Sequence, residues 1–152
     1  MSARQDGRCG RSERGQSLVE FALGITIFLT LLIGLIDLAR AGYLFNGVSD
    51  AAREIARVTS LHPGTTTLGD SSETATVVMG ERALVPGLTV TSYACIDLAG
   101  TSVTGACQPG SWVRVSVKTT FSPVLPLLSA LGPFTLSTAS SANIQGNWIT
   151  TP

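Results

Sequence analysis

The sequence predicts an α+β protein in which a long N-terminal helix, membrane-spanning in its first half, packs on a small antiparallel sheet of about three strands. Three observations support this fold class. An uncharged apolar run lies near the N-terminus, an apolar stripe of helical period follows it, and segments of alternating apolar and polar residues come after that. A chain of 152 residues has room for an anchor and one modest domain.

The apolar run is FALGITIFLTLLIGLI, residues 21–36, which contains no charged residue and lies between Glu20 and Asp37. With its margins it covers about residues 18–38, which matches the ~20 residues that a membrane-spanning helix needs. The alternative is a buried core helix of a soluble protein. We disfavour it because no other segment has enough apolar surface to surround this one.

Beyond Asp37 the helical pattern continues. Apolar residues recur at intervals of three or four positions, at Ala41, Leu44, Val48, Ala51, Ile55 and Val58. This spacing predicts one stripe along a helix. His62-Pro63-Gly64 then ends the pattern, so we expect a single helix over residues 16–60, about 65 Å long at ~1.5 Å per residue.

The rest of the chain predicts a short helix and a sheet. Ser72 can cap a helix that runs to about Leu84. Alternation of period two then predicts strands over residues 88–96, 113–121 and 134–144. The segment SPVLPLLSALGP between the last two strands is either a short helix or a loop packed on the sheet. We expect the outer half of the long helix to cover the sheet.

The arginines predict the orientation in the membrane. Four precede the apolar run, at Arg4, Arg8, Arg11 and Arg14, and only Arg40, Arg53 and marginally Arg57 follow it at short range. Since positive charge is retained on the cytoplasmic side, we expect a cytoplasmic N-terminus.

Two cysteines agree with an exterior placement of the second half. Cys95 and Cys107 have eleven residues between them. In an oxidising compartment we expect them to form a disulfide. The alternative is that both are unpaired small apolar residues.

Composition and motifs argue against nucleic-acid binding and catalysis. The net charge is zero, so no basic stripe is available to neutralise phosphates. The sequence has no nucleophile elbow, zinc-protease motif, phosphate loop or paired Cys-x-x-Cys motif, and its one histidine, His62, reads as a polar loop residue. We therefore expect no enzyme activity, no metal and no cofactor.

Specific residues carry a family resemblance. Gly15 is followed by Glu20 and Phe21 at the start of the apolar run, Asp37 and Arg40 mark its end, and AAREIAR follows at 51–57. This ordered set resembles the N-terminal region of TadE-like pseudopilins of the Tad/Flp pilus machinery. Many relatives have a proline where this chain has Thr26, which favours a straighter helix here.

The resemblance implies a processing step and a role for the acid. A membrane-embedded prepilin peptidase would cut between Gly15 and Gln16 and remove leader 1–15. The new ammonium of Gln16 would then pair with Glu20 of its own or a neighbouring subunit. Asp37 and Arg40 would form an interfacial ion pair at the outer membrane surface.

The resemblance also implies a place in the cell. The protein would be a single-pass, pilin-like component of the bacterial cytoplasmic (inner) membrane with residues 61–152 as an extracytoplasmic domain. Its partners would be the prepilin peptidase, other pilin-like subunits, Tad inner-membrane assembly proteins and the lipid bilayer. Whether it enters the pilus stays open.

Three alternatives remain. Ala39-Arg40-Ala41 supplies a signal-peptidase site, so the chain could be a secreted or anchored periplasmic binding domain cut before Gly42. An uncleaved anchored protein with an envelope-sensing role is the second. In the third, Glu20 reaches the lipid headgroups and has no partner.

Overall fold

The computed structural model describes residues 10–64, 66–103, 107, 110–130 and 132–145. The elements in chain order are α1 (Gly10–Leu61), α2 (Ser72–Leu84), β1 (Thr89–Ile96), β2 (Ser102–Val103), β3 (Trp112–Phe121), α3 (Pro126–Ser129) and β4 (Phe134–Asn143). The predicted α+β class, a long N-terminal helix with an antiparallel sheet, is confirmed.

Helix α1 begins earlier than the sequence predicts. It starts at Gly10 rather than near Gln16, because extending an existing helix through polar residues costs little once the helix has formed. Part of the segment expected to be a disordered leader is therefore helical, while residues 1–9 lie outside the described residues. With 52 residues, α1 is about 78 Å long.

The first half of α1 stands clear of the rest of the described chain. Residues 15–36 are exposed, apart from the half-buried Gly34. The Thr26 and Thr30 hydroxyls donate to the carbonyls of Ala22 and Thr26, at 2.7 and 2.8 Å, so these polar groups are satisfied within the helix. The alternative of a buried soluble-protein helix is wrong, and this helix is long and apolar enough to cross a membrane.

The second half of α1 forms the core with the sheet. Its buried residues follow the predicted stripe: Val48, Ala51, Ala52, Ile55, Ala56 and Val58. They pack on β3, β4 and α2. A Cβ at Gly47 would lie 2.9 Å from Cγ2 of Val85, so only glycine allows α1 to approach the end of α2 this closely.

The sheet has four antiparallel strands in the order β2-β1-β3-β4, one more than predicted. The additional strand, β2, has two residues and is too short to show alternation. Central β3 alternates between buried and exposed side chains. Its buried Val113, Val115 and Val117 lie opposite Ala142, Ser140 and Thr138 of β4, whose small side chains leave room for α1.

Helix α2 begins one residue earlier than predicted and has a different cap, but it ends at Leu84 as predicted. Ser71, not Ser72, is the N-cap, since its hydroxyl accepts from the backbone N–H of Thr74 at 3.1 Å. Ser72 already lies in the first turn, where its side chain cannot reach that donor. The buried hydroxyls of Thr74 and Thr59 lie 3.4 Å apart and join α2 to α1.

The segment between β3 and β4 contains the short helix α3, which settles the choice left open by the sequence. β3 ends at Phe121, whose ring lies beside Arg40 of α1. The connection between β3 and β4 is therefore at the end of the sheet that faces the apolar half of α1.

Candidate functional site

At the start of the apolar run, Gly15 and Gln16 are adjacent in α1 and Glu20 lies one turn further on. The Gln16 side-chain amide donates to Glu20 Oε1 at 3.2 Å, and both side chains are exposed. Apart from its chain neighbours and the backbone of its own helical turns, no atom of the described chain lies within 4 Å of a Cβ built on Gly15. Phe21 is also exposed.

The end of the run is different, because Asp37 is only 3 % exposed. Its Oδ2 accepts two backbone hydrogen bonds, from the N–H groups of Val124 and Leu125 at 2.9 and 2.8 Å. Its Oδ1 lies 3.2 Å from Nη1 of Arg40. A buried carboxylate is tolerated when an opposite charge and N–H donors surround it, as they do here.

Arg40 has two partners at this point. Besides Asp37, its guanidinium lies 5.5 Å from the ring centroid of Phe121, the last residue of β3. The contact with Phe121 joins the end of β3 to α1, whereas the ion pair with Asp37 lies within α1. Arg40 also lines an open groove of about 740 Å³ between α1 and the sheet, together with apolar residues that include Ile36, Leu44 and Leu84.

Within the described ranges, no group of three or more His, Cys, Asp or Glu side chains is placed to hold a metal ion. The groove is lined mainly by apolar side chains, with Arg40 as its one charged residue. His62, in the bend after α1, is exposed.

Charges on the outer half of α1 are arranged along its exposed faces. The Arg57 guanidinium donates to Glu54 at 2.9 and 2.6 Å, and this hydrogen bonding lowers the pKa of Glu54. Across the gap to α2, burial raises the pKa of Glu81, and repulsion by Glu54 and Asp50 raises it further. Both pKa shifts therefore arise from contacts within α1 and between α1 and α2.

Cys95 and Cys107 form a disulfide, as predicted. Their Cα atoms are 5.6 Å apart, and both residues are buried in the core. The bridge ties β1 to the segment that leads to β3. It lies at the end of the sheet away from Asp37.

The structure brings some of the predicted residues together and separates others. Gln16 contacts Glu20, and Asp37 contacts Arg40, but about 26 Å of helix separates Glu20 from Asp37. The hydrogen bonds that Asp37 accepts from the backbone N–H groups of Val124 and Leu125 were not predicted from the sequence. A signal was present, since a lone acid ending an apolar run needs donors and an uncharged, proline-flanked loop has N–H groups to offer.

Comparison with known proteins agrees with the N-terminal motif. The family model of TadE-like proteins matches residues 15–57. No curated protein and no solved structure is similar. The TadE-like family consists of structural pilus components, so the match indicates a pilus-associated protein, and the exposed apolar helix fits a single-pass membrane anchor. Over residues 15–57, less than a third of its length, this chain is similar to TadE-like proteins.

Proposed function

We propose that the protein is a non-enzymatic pseudopilin, or minor pilin, which assists assembly of Tad/Flp-type pili after a prepilin peptidase cuts between Gly15 and Gln16. The single observation that carries this proposal is the family match over residues 15–57, which covers the cut site, the acid and the anchor. The partners in this proposal are the prepilin peptidase, other pilin-like subunits and the Tad inner-membrane assembly proteins.

The geometry at the start of the run supports the assigned roles. Gly15 has no side chain and open space beside it, so a protease can reach the following bond. After the cut, the terminal ammonium of Gln16 lies one helical turn, about 6 Å along the axis, from Glu20. An ammonium partner makes a carboxylate near the lipid interface tolerable, whereas an unpaired one is costly.

The arginine distribution supports a cytoplasmic N-terminus and an exterior domain. Four arginines precede the span, and the disulfide follows it. In this orientation Glu20 lies near the cytoplasmic face and Asp37 near the outer face of the cytoplasmic membrane. The ~26 Å of helix between them is close to the ~30 Å thickness of a hydrocarbon core.

The alternative cut before Gly42 fits the contacts less well. Such a cut would remove both Asp37 and Arg40 from the mature domain. The backbone N–H groups of Val124 and Leu125 would lose their acceptor, and Phe121 would lose its cation contact. Cleavage after Gly15 leaves all of these contacts intact.

Replacement of Glu20 tests the proposal in piliated cells. Glu20→Leu and Glu20→Gln are both expected to insert and be cleaved normally but to reduce pilus number at least about tenfold, because a hydrogen bond to a charged group contributes roughly 1.5–3 kcal/mol. Glu20→Gln keeps an oxygen for Gln16 and removes only the charge. Pili are counted by electron microscopy, and the mature protein is measured in the membrane fraction.

Glu73→Gln is the matched control, since Glu73 is an exposed glutamate on α2, outside the apolar run. It should leave pilus number unchanged. Normal piliation in the Glu20→Leu and Glu20→Gln strains would show that the acid has no pairing role.

A further inference from the structure

The connection between β3 and β4, residues 122–133, is uncharged and partly apolar on its surface. No Asp, Glu, Lys or Arg occurs from Thr119 to the end of the sequence. Val124 is 64 % exposed, and Phe134, which follows the connection, is 41 % exposed. Single exposed apolar side chains are common on protein surfaces, so the position of these two relative to the membrane-spanning run decides what their exposure means.

The position of this connection is fixed at the end of the membrane-spanning run. Asp37 accepts from the backbone of Val124 and Leu125, so the loop lies at the height of Asp37 along α1. On either side of Asp37, Ile36 and Leu38 are 52 % and 69 % exposed. The exposed apolar surface of the span therefore continues, at the same height, onto the loop.

Most of the described backbone N–H groups of the loop donate hydrogen bonds within the chain. Six of its described N–H groups have acceptors: Val124 and Leu125 bond to Asp37, Leu128 and Ser129 to the carbonyl of Leu125, Ala130 to that of Pro126, and Gly132 to that of Ser129. Pro123, Pro126 and Pro133 have no N–H. A non-helical segment approaches lipid at lower cost when its donors are satisfied internally, and most of the described donors of this segment are.

We propose that residues 122–130 and 132–133, together with Phe134, form a second membrane contact that rests in the interfacial layer of the bilayer beside the outer end of the span. We call this segment the foot. The proposal rests on the membrane anchoring in the proposed function. Its occupant is the lipid surface, because the foot is continuous with the lipid-facing part of α1 and has no charge with which to select a protein partner.

Asp37 is the positioning residue of the foot. Its carboxylate accepts hydrogen bonds from two N–H groups that would otherwise lack an acceptor at the low-dielectric interface. The same two hydrogen bonds fix the height of the loop along α1. Arg40 and Phe121 add a second attachment next to it. The outer domain is then held at two points on the membrane, the helix and the foot, which restricts its tilt.

Spin labels in the full chain measure the depth of the foot. On a Cys9→Ser background, single cysteines are introduced as Val124→Cys in the foot, Leu29→Cys in the span, and Leu98→Cys at the opposite end of the sheet. Leu98 is the matched control, being an exposed apolar residue, 87 % accessible, on a turn. The protein is reconstituted in vesicles of phosphatidylethanolamine and phosphatidylglycerol. Accessibility of each label to oxygen and to a water-soluble nickel chelate is then compared.

The Val124 label is expected to lose nickel accessibility and gain oxygen accessibility relative to the Leu98 label, in the same direction as the Leu29 label. If the Val124 and Leu98 labels have the same accessibilities while the Leu29 label is in lipid, the proposed membrane contact of the foot is contradicted and the membrane anchor is supported. Shielding of the Val124 label from both reagents would indicate protein contact and also overturn the proposal. Water accessibility at Leu29 would instead contradict the anchor, and with it the proposed function.

Removal of Asp37 tests its positioning role. Asp37→Ala is expected to raise both the mobility and the nickel accessibility of the Val124 label. Asp50→Ala is the matched control, because Asp50 is also on α1 and also pairs with an arginine three residues later, but is exposed. An unchanged Val124 label in Asp37→Ala would overturn the positioning role. If circular dichroism shows that Asp37→Ala does not fold, the labelled chains that retain Asp37 still measure the depth of the foot.

Discussion

Two carboxylates on α1, Glu20 and Asp37, show how the same functional group has different surroundings at the two ends of the apolar run. Glu20 is exposed and contacts only the side chain of Gln16 among its described neighbours, which leaves its charge available to a new ammonium. Asp37 is buried and has both oxygens occupied. The sequence could locate both acids, because they bracket the uncharged run. It could not give the partners of Asp37, because these come from a loop 87 residues away.

A third carboxylate, Glu81 of α2, gives a pH prediction. Burial and the nearby Glu54 and Asp50 raise its pKa from the ordinary value of 4.5. The folded state therefore holds the proton more tightly than the unfolded state, and this contribution to stability is present below pH 4.5 and lost as the pH rises through the raised pKa. At pH 7, Glu81→Gln should stabilise the protein by less than about 1 kcal/mol, since the group is partly exposed.

Urea unfolding of the full chain in detergent micelles, followed by tryptophan fluorescence at pH 7 and pH 4, measures this difference. The gain from Glu81→Gln should shrink at the lower pH. Glu73→Gln is the control of opposite sign, because hydrogen bonding to the backbone and to Ser72 lowers the pKa of Glu73. A Glu81→Gln protein that is less stable than wild type at pH 7 would contradict the raised pKa.

At the scale of elements, the period of apolar residues predicted most of what the structure contains. The stripe from Ala41 to Val58 faces the sheet, and the three predicted strands correspond to β1, β3 and β4 within one or two residues. Strand β2 was missed because two residues cannot show a period. The strand order β2-β1-β3-β4 also could not be predicted, since pairing depends on contacts between distant segments.

The disulfide is the covalent link between elements, and its chemistry can be tested directly. In a Cys9→Ser chain, no thiol should react with a maleimide in denaturant before a reductant is added, and two should react afterwards. Replacing both Cys95 and Cys107 by Ala should lower the free energy of unfolding by about 2–3 kcal/mol, through loss of a short closed loop. Immediate labelling of either cysteine would contradict the bridge.

At the scale of the whole molecule, α1 connects two environments. Its first half has its apolar side chains uncovered, and its second half forms the core of a domain closed by a four-stranded sheet. The change from one environment to the other occurs at Asp37, where helix, loop and sheet end meet. Removing the leader at Gly15 would leave this junction unaltered and change only the charge at the N-terminal end of the apolar run.

The proposed removal of the leader should require a small residue at position 15. Gly15→Leu should leave the membrane insertion of the chain intact while the uncut precursor accumulates, because a branched side chain beside the bond hinders access to the backbone. Gly24→Leu, a glycine within the span with equally open surroundings, is the matched control and should be processed normally. If immunoblots show that both variants are cleaved equally, the proposed role of Gly15 in cleavage is contradicted.

The most direct test is the N-terminal peptide mass of the protein isolated from the membranes of piliated cells. Our account predicts that the mature chain begins at Gln16. A chain that begins at Met1 while pili are being made, or one that begins at Gly42, would contradict it.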